Sequence, residues 1–235
     1  MQPPILRGSL ISLLRSKALK SGNDLKTLTG SVVIFNTESL FHFFTNTDYR
    51  NYVVNASYIC IDGAILVLCS YFFGKALPRY HGPDFLDQMG QADMLAEAAL
   101  IGGHEGAGTE RNKSIFGQWL QLPVADSGAF LAKKIAPSLS SSPPRVLVVS
   151  LGLPKQEIFS QALIGELPGL TENSLLVPAG AAVDFLNGSK ARSSKFWRRI
   201  GLEWLPRLLR EPRMWRRNAL SLIGLGMLIK HEVMA

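Results

Sequence analysis

The sequence predicts an α/β fold: a mostly parallel sheet with helices on both faces, extended by a basic helical appendage at the C-terminus. Three observations carry this prediction. Short apolar, β-branched runs alternate with helical stretches through most of the first 190 residues, the pattern of a parallel sheet built from βαβ units. Most of those runs end on a glycine, asparagine or aspartate, the residues of tight strand-to-helix turns. The third observation is charge. Of a formal net charge of +7, residues 190–217 carry +8, ten Lys and Arg against Glu203 and Glu211, so the rest of the chain sums to about −1. The expected organisation is a Rossmann-like α/β domain over residues 1–189 and a basic, amphipathic, membrane-associating appendage over 190–235.

Residues 31–35 (SVVIF) suit a buried strand. After Asn36, residues 37–44 read as a helix with Thr37 as its cap. Residues 58–61 (YICI) give a second strand ending on Asp62-Gly63, and 64–73 read as a buried helix. His81-Gly82-Pro83-Asp84 is a turn opening a helix over about 85–89, with Asp84 as its simplest cap. Residues 95–103 fit a helix, from the alanines and Glu97, or a strand running into Gly102-Gly103. Residues 102–128 carry no clear pattern, and 138–144 read as a serine- and proline-rich loop. Residues 145–151 (RVLVVSL) are the clearest central strand, followed by Gly152-Leu153-Pro154 and a helix over 155–163. Residues 175–177 add one more strand before the small-residue turn 179–182.

Composition narrows the function classes. Of 235 residues, 47% are hydrophobic and 18% charged, which is globular and not disordered. Two cysteines, Cys60 and Cys69, give no disulfide framework and no thiolate metal site, so a reducing cytoplasm is expected. The four histidines have no ligand spacing, and neither a metal nor a cofactor is expected. No secretory signal is evident, and the apolar run 64–73 is far shorter than the roughly 20 residues of a spanning helix. The expected protein is soluble or peripheral.

Ligands of parallel sheets bind beyond the carboxyl ends of the strands. Asn36, Asp62, the segment 152–156 and Asp184 all fall there, which is the main reason to read an enzyme. Asp62, directly after a strand and beside Gly63, can serve as a general base or bind a sugar hydroxyl. Capping the following helix is its simpler role and, on the sequence alone, has the stronger claim. Arg79 can clamp a phosphate with its planar fork, or be an ordinary solvated loop arginine. The Gly152-Leu-Pro-Lys-Gln-Glu157 turn opens a helix whose N-terminus suits an anion, with Lys155 and Gln156 in reach of a diphosphate or sugar. Its plainer reading is a proline-initiated helix with Glu157 complementing the dipole. There is no GxxxxGK[ST] loop, and the glycines at 102–108 are too loosely spaced for a dinucleotide fingerprint.

Taken together these elements resemble the WecG/TagA/CpsF family, glycosyltransferase family 26. The resemblance rests on Asn36 after the first strand, Ile61-Asp62-Gly63 and Arg79-Tyr-His-Gly-Pro-Asp84. It continues through Leu151-Gly-Leu-Pro-Lys-Gln-Glu157, Val183-Asp184-Phe185, Arg192 and Glu203-Trp-Leu-Pro-Arg207 to Glu211-Pro-Arg213. It implies an inverting, metal-independent transfer of a hexose, such as an N-acetylhexosamine or its uronate, from a UDP-sugar to a polyprenyl-diphosphate-linked acceptor. The product would enter a surface or exopolysaccharide. Asp62 would be the base, with Asn36, Arg79, Lys155, Gln156 and Asp184 at the substrates. Arg207, Arg213, Arg216 and Arg217 would contact the diphosphate or the membrane. Three departures stand out: Ile34 where members usually have Thr, Arg192-Ser193-Ser194 for Arg-Ala-Pro, and a middle segment without the usual Gly-Tyr element. Ile34 and the middle segment support a rival reading, a non-catalytic binding or scaffold protein of the same fold, while the presence of Asp62, Arg79 and Gln156 together speaks against it.

The tail has its own expected partner. Apolar residues at 200, 204, 205 and 208 recur at helical spacing between arginines, and 220–229 is a short apolar stretch. Basic amphipathic segments with Trp suit an anionic membrane surface, here the inner face of the cell membrane. The plainer alternative is a basic helix packed on its own domain. Nucleic acid is not expected, because no binding motif accompanies the charge. The oligomeric state is open, a homo-oligomer included.

Overall fold

The computed structural model describes residues 8–20, 24–103, 108–122, 126–192, 194, 197 and 213–235. In chain order its regular elements are α1 (Leu10–Ser16), β1 (Gly30–Phe35), α2 (Thr37–Thr45), α3 (Thr47–Asn55), β2 (Tyr58–Ile61) and α4 (Ala64–Phe72). Then come α5 (Gly82–Gln91), β3 (Ala98–Gly102), α6 (Thr109–Ile115), β4 (Gln118–Leu120), α7 (Gly128–Ser140) and β5 (Val146–Ser150). The last are α8 (Lys155–Glu166), α9 (Leu170–Asn173), β6 (Leu175–Pro178), α10 (Ala181–Leu186) and α11 (Arg213–Met234). The six strands form one sheet in the order β2-β1-β6-β5-β3-β4, and every pairing is parallel. The expected Rossmann-like α/β fold is what the chain adopts.

Strand side chains alternate between two cores, which is why the runs are apolar throughout. Val32, Val146, Val148, Leu175 and Val177 face Phe85, Leu86 and Met89 of α5. The alternate residues Val33, Phe35, Ile59 and Ile61 face α1, α2 and α3. Leu147, Val149 and Leu176 face α7 and α8 on the same side of the sheet. Each such side chain, fully buried, is worth roughly 1.5–3 kcal/mol, so the double-sided sheet dominates stability.

Several local expectations change. The cap of α2 is Asn36, not Thr37: its Oδ1 accepts from Ser39 N at 3.1 Å, and Ser39 Oγ accepts from Asn36 N at 3.1 Å, a closed capping box. The apolar stretch 64–73 is not a buried helix. Only Leu66 and Ser70 of α4 are buried, while Leu68 is 60% and Phe72 82% exposed, because α4 follows the edge strand β2 and meets the core along one narrow line. The ambiguous 95–103 resolves as strand β3 between β5 and β4. The unpatterned 102–128 supplies α6 and the short edge strand β4, and α7 runs into the expected loop as far as Ser140.

The C-terminal stretch divides. The segment 200–209, including Arg207, lies outside the described residues, as does the side chain of Arg213. The apolar stretch 220–229 belongs to α11, which packs on α2. Gly224 sits against Leu40 and Phe41, where a Cβ would come within 2.5 Å of the Phe41 nitrogen, and Leu228 is fully buried. Glu232 at the far end accepts from Ser9 Oγ at 2.6 Å and from Ile11 N at 3.1 Å, placing a carboxylate on the N-terminus of α1. The opposite face of α11 exposes Trp215, Leu222, Ile223 and Val233. Among the described residues no helix is long and apolar enough to cross a membrane.

Candidate active site

The strand order reverses around β1 and β6, so the carboxyl ends of β1, β2, β5 and β6 open onto a crevice. There a cavity of about 700 Å³ is lined by Asn36, Asp62, Arg79, His81, Gln156 and Asp184 from the sheet side. Arg216, Arg217, Asn218 and Ser221 of α11 line it from the other. The volume is in the range of small-molecule sites. Of the residues singled out from the sequence, the cavity gathers Asn36, Asp62, Arg79, Gln156, Asp184, Arg216 and Arg217. Lys155 opens α8 next to them and is not part of the wall.

Asp62 is held by the sheet. Its N–H donates to Phe35 O at 2.9 Å, continuing the β1–β2 ladder by one residue. It does not cap α4, whose N-cap is Gly63 without a side-chain bond. Instead Asp62 Oδ1 lies 2.9 Å from His81 Nδ1, with the Asp62 side chain 25% and the His81 side chain 18% exposed. The turn at His81 packs closely because Gly82 has no side chain. A Cβ there would come within 2.8 Å of an Ile34 methyl and 3.3 Å of Asp62 Oδ2. Ile34 therefore fills the space beneath this turn. Asp84 does not cap α5; the N-cap position is His81, and Asp84 and Asp87 in the following turns hold Arg192 at 2.7 and 2.8 Å.

At the start of α8, Gln156 is only 5% exposed. Its Nε2 donates to Glu157 Oε1 at 2.9 Å, and its Oε1, at the cavity wall, has no hydrogen-bond partner among the described residues. A Cβ on Gly180, which adopts φ 45°, would approach that oxygen to 2.8 Å. Glu157 is buried instead of complementing the helix dipole from solvent. Burial pushes its carboxyl up to about 8, with the Gln156 hydrogen bond working the other way, so it is a neutral acid at neutral pH.

The other charges of the wall are largely matched. Asp184 is paired with Lys190 at 2.5 Å. Glu38 on α2 accepts from Arg217 Nε at 2.7 Å and pairs with its Nη2 at 2.6 Å. Arg79 and Arg216 add two further positive charges to the lining. His42 beside them has its pKa lowered, chiefly by burial, with Arg217 also lowering it and Glu38 opposing, so it is neutral at neutral pH. Among the described residues no three His, Cys, Asp or Glu side chains cluster closely enough to hold a metal ion. Sequence reasoning missed three members of this site. His81 reads only as part of the turn that opens α5 and Glu157 as a complement to the helix dipole, Glu38 is not singled out, and no local pattern marks any of the three.

A carboxylate at a strand end, a buried amide and arginines from both walls thus line one crevice at the carboxyl ends of a parallel α/β sheet. Residues 12–234 match the model of the glycosyl transferase WecG/TagA/CpsF family, and the chain belongs to it; it is a glycosyltransferase. Over 207 residues, 86% of this chain and 79% of the relative, it is 30% identical to the N-acetylglucosaminyldiphosphoundecaprenol N-acetyl-beta-D-mannosaminyltransferase of Bacillus spizizenii.

Proposed function

We propose that the protein transfers an N-acetylhexosamine from its UDP-sugar to an N-acetylglucosaminyl-diphosphate-polyprenol acceptor, with inversion and without a metal, in cell-envelope polysaccharide synthesis. The observation that carries the reading is the meeting of Asp62 with Arg79 and Arg216 in one cavity at the sheet's switch point. The acceptor hydroxyl gives its proton to Asp62 as its oxygen bonds to the anomeric carbon. The bond from that carbon to the diphosphate breaks on the opposite face, and its electron pair leaves with UDP. Arg79 on the sheet side stabilises the charge growing on the diphosphate, the part of the reaction where fixed charges count most, and Arg216 holds the diphosphate of the bound donor. Inversion at an α-linked donor yields a β-linked product, in keeping with the beta-D linkage in the relative's name. Asn36, Gln156 and Asp184 hold the sugars, Gln156 offering its Oε1 to a hydroxyl or N–H donor, and Lys155 adds charge at the start of α8.

The same reading assigns the sugar chemistry to residues 1–189 and membrane contact to 190–235, on the inner face of the cell membrane. Its support is the net +8 of residues 190–217 and the exposed Trp215, Leu222 and Ile223 of α11. Arg213 and Arg207 go with that surface. Incubation of purified protein with a panel of UDP-N-acetylhexosamines and a short-chain prenyl acceptor, with EDTA present, tests the proposal. Acceptor-dependent UDP release and a β-linked product are expected. A retained configuration, or activity lost to EDTA and restored by magnesium, would overturn it.

A further inference from the structure

We propose that His81 is a positioning residue for the transfer: its Nδ1–H fixes Oδ1 of Asp62 and leaves Oδ2 as the atom that receives the acceptor proton. The inference rests on the reading of Asp62 as the base and specifies how that base is aimed. An ionised carboxylate can only accept, so the 2.9 Å contact places the imidazole proton on Nδ1. Both side chains line the cavity, and both are mostly buried without being sealed off.

The backbone on each side of the contact is clamped. Asp62 N–H is bonded to Phe35 O, and Tyr80 N–H, one residue before His81, is bonded to Ile61 O at 3.0 Å. His81 O then accepts from Phe85 N at 3.0 Å as α5 begins, and Gly82 lies closed over Ile34. The ring thus hangs from a chain fixed to the same strand end that carries the carboxylate. Asp62 makes no capping bond that would set its side-chain angle, and the histidine supplies that constraint. Only hydrogen stands on Gly82 where a Cβ would crowd Oδ2 at 3.3 Å, which keeps the second oxygen approachable. In the step itself the acceptor O–H breaks, its proton passes to Oδ2, and the His81 proton stays on Nδ1. The acceptor oxygen bonds to the anomeric carbon, and the diphosphate leaves with the electron pair.

The test is a His81 series on the full chain. His81→Phe keeps a planar ring and removes the donor, and His81→Asn puts an amide N–H near the place of Nδ1. A misaimed base costs up to about 10²-fold. His81→Phe is therefore expected to lower kcat by about 10–100-fold while leaving the KM for the UDP-sugar nearly unchanged. His81→Asn should recover most of that loss. Should His81→Phe fail to fold, His81→Gln, which carries its N–H toward the Nε2 position, takes its place as the variant with a misplaced donor. Wild-type kcat in His81→Phe overturns the inference, as does a His81→Asn enzyme no better than His81→Phe, which would make His81 itself the proton acceptor. Asp62→Asn assayed alongside separates the two levels. If it is inactive while His81→Phe is fully active, only the positioning role falls. If it stays near wild type, the reading of Asp62 as base falls with it.

Discussion

The two walls of the cleft are built differently. On one side Asp62, Ser150 and Ala179 extend directly from strands buried on both faces, and the ladder of hydrogen bonds runs on into them. Asp62 N–H reaches Phe35 O, Gly103 N–H reaches Ser150 O at 2.8 Å, and Ala179 N–H reaches Val149 O at 2.8 Å. On the other side Arg216 and Arg217 ride on α11, a single helix attached through Gly224, Leu228, the Glu38–Arg217 pair and Glu232. The proposed base sits on backbone fixed by the strand ladder, and Arg216 and Arg217 sit on a separate helix whose placement rests on side-chain packing against α2. Changes on the sheet side should therefore fall on kcat, and changes on the α11 side on donor binding and modest stability.

The largest effect expected is on the sheet side. Asp62→Asn keeps the shape of the carboxylate and cannot take the proton, so kcat should fall by about 10²–10⁴-fold. Binding of the UDP-sugar, measured by calorimetry, should change little. A variant within a few-fold of wild type would show that the constrained wall does not carry the base.

The second effect concerns the same wall's interior. The Glu157 carboxyl is raised from its ordinary 4.5 to about 8, so the folded protein keeps a proton that the unfolded chain releases. Stability from this group is full below about 4.5 and is lost as pH rises toward 8, by about 1.4 kcal/mol per unit within the window. Glu157→Gln, which cannot ionise, should gain on wild type in urea unfolding as pH rises from 5.5 to 7.5. Parallel pH dependences would mean that Glu157 is ionised in the fold.

Much of the sheet side was legible in advance. Residues 32–35 and 146–149 are apolar at every position because both faces are covered, and the ends of these runs and of 58–61 point to Asn36, Asp62 and Gln156. What was not legible came from topology. His81 meets Asp62 across 19 residues and Arg217 meets Glu38 across 179, and no local pattern encodes such pairs. The apolar stretch 64–73 reads as a buried helix, yet it follows an edge strand, and little among the described residues covers it. Strand β4, three residues with Trp119 donating to Gly102 O, is too short to leave a period.

On the α11 side, Arg216→Ala should raise the KM for the UDP-sugar about tenfold, equivalent to about 1.4 kcal/mol, with a smaller change in kcat. Initial rates against donor concentration read this directly. A pure kcat effect would place Arg216 with the sheet wall as a group felt only in the transition state.

The smallest effect decides what Arg217 is for. Its guanidinium is already committed to Glu38, whose side chain is 10% exposed, while Arg217 itself is 39% exposed and partly screened by solvent. A pair of this kind is worth about 0.2–1 kcal/mol, so Glu38→Gln should lower the unfolding midpoint by about 1–4 °C in a chain of this size. The loss should shrink in high salt, because the pair reaches solvent at its Arg217 end. The donor KM should stay within about twofold of wild type, since a strut that loosens one end of α11 leaves Arg216 anchored through Gly224 and Leu228. A KM raised as far as in Arg216→Ala would mean that the pair aims the whole helix face at the diphosphate. The two arginines would then work as one unit, and the division between a catalytic wall and a binding wall would run through Glu38 instead of between the sheet and α11.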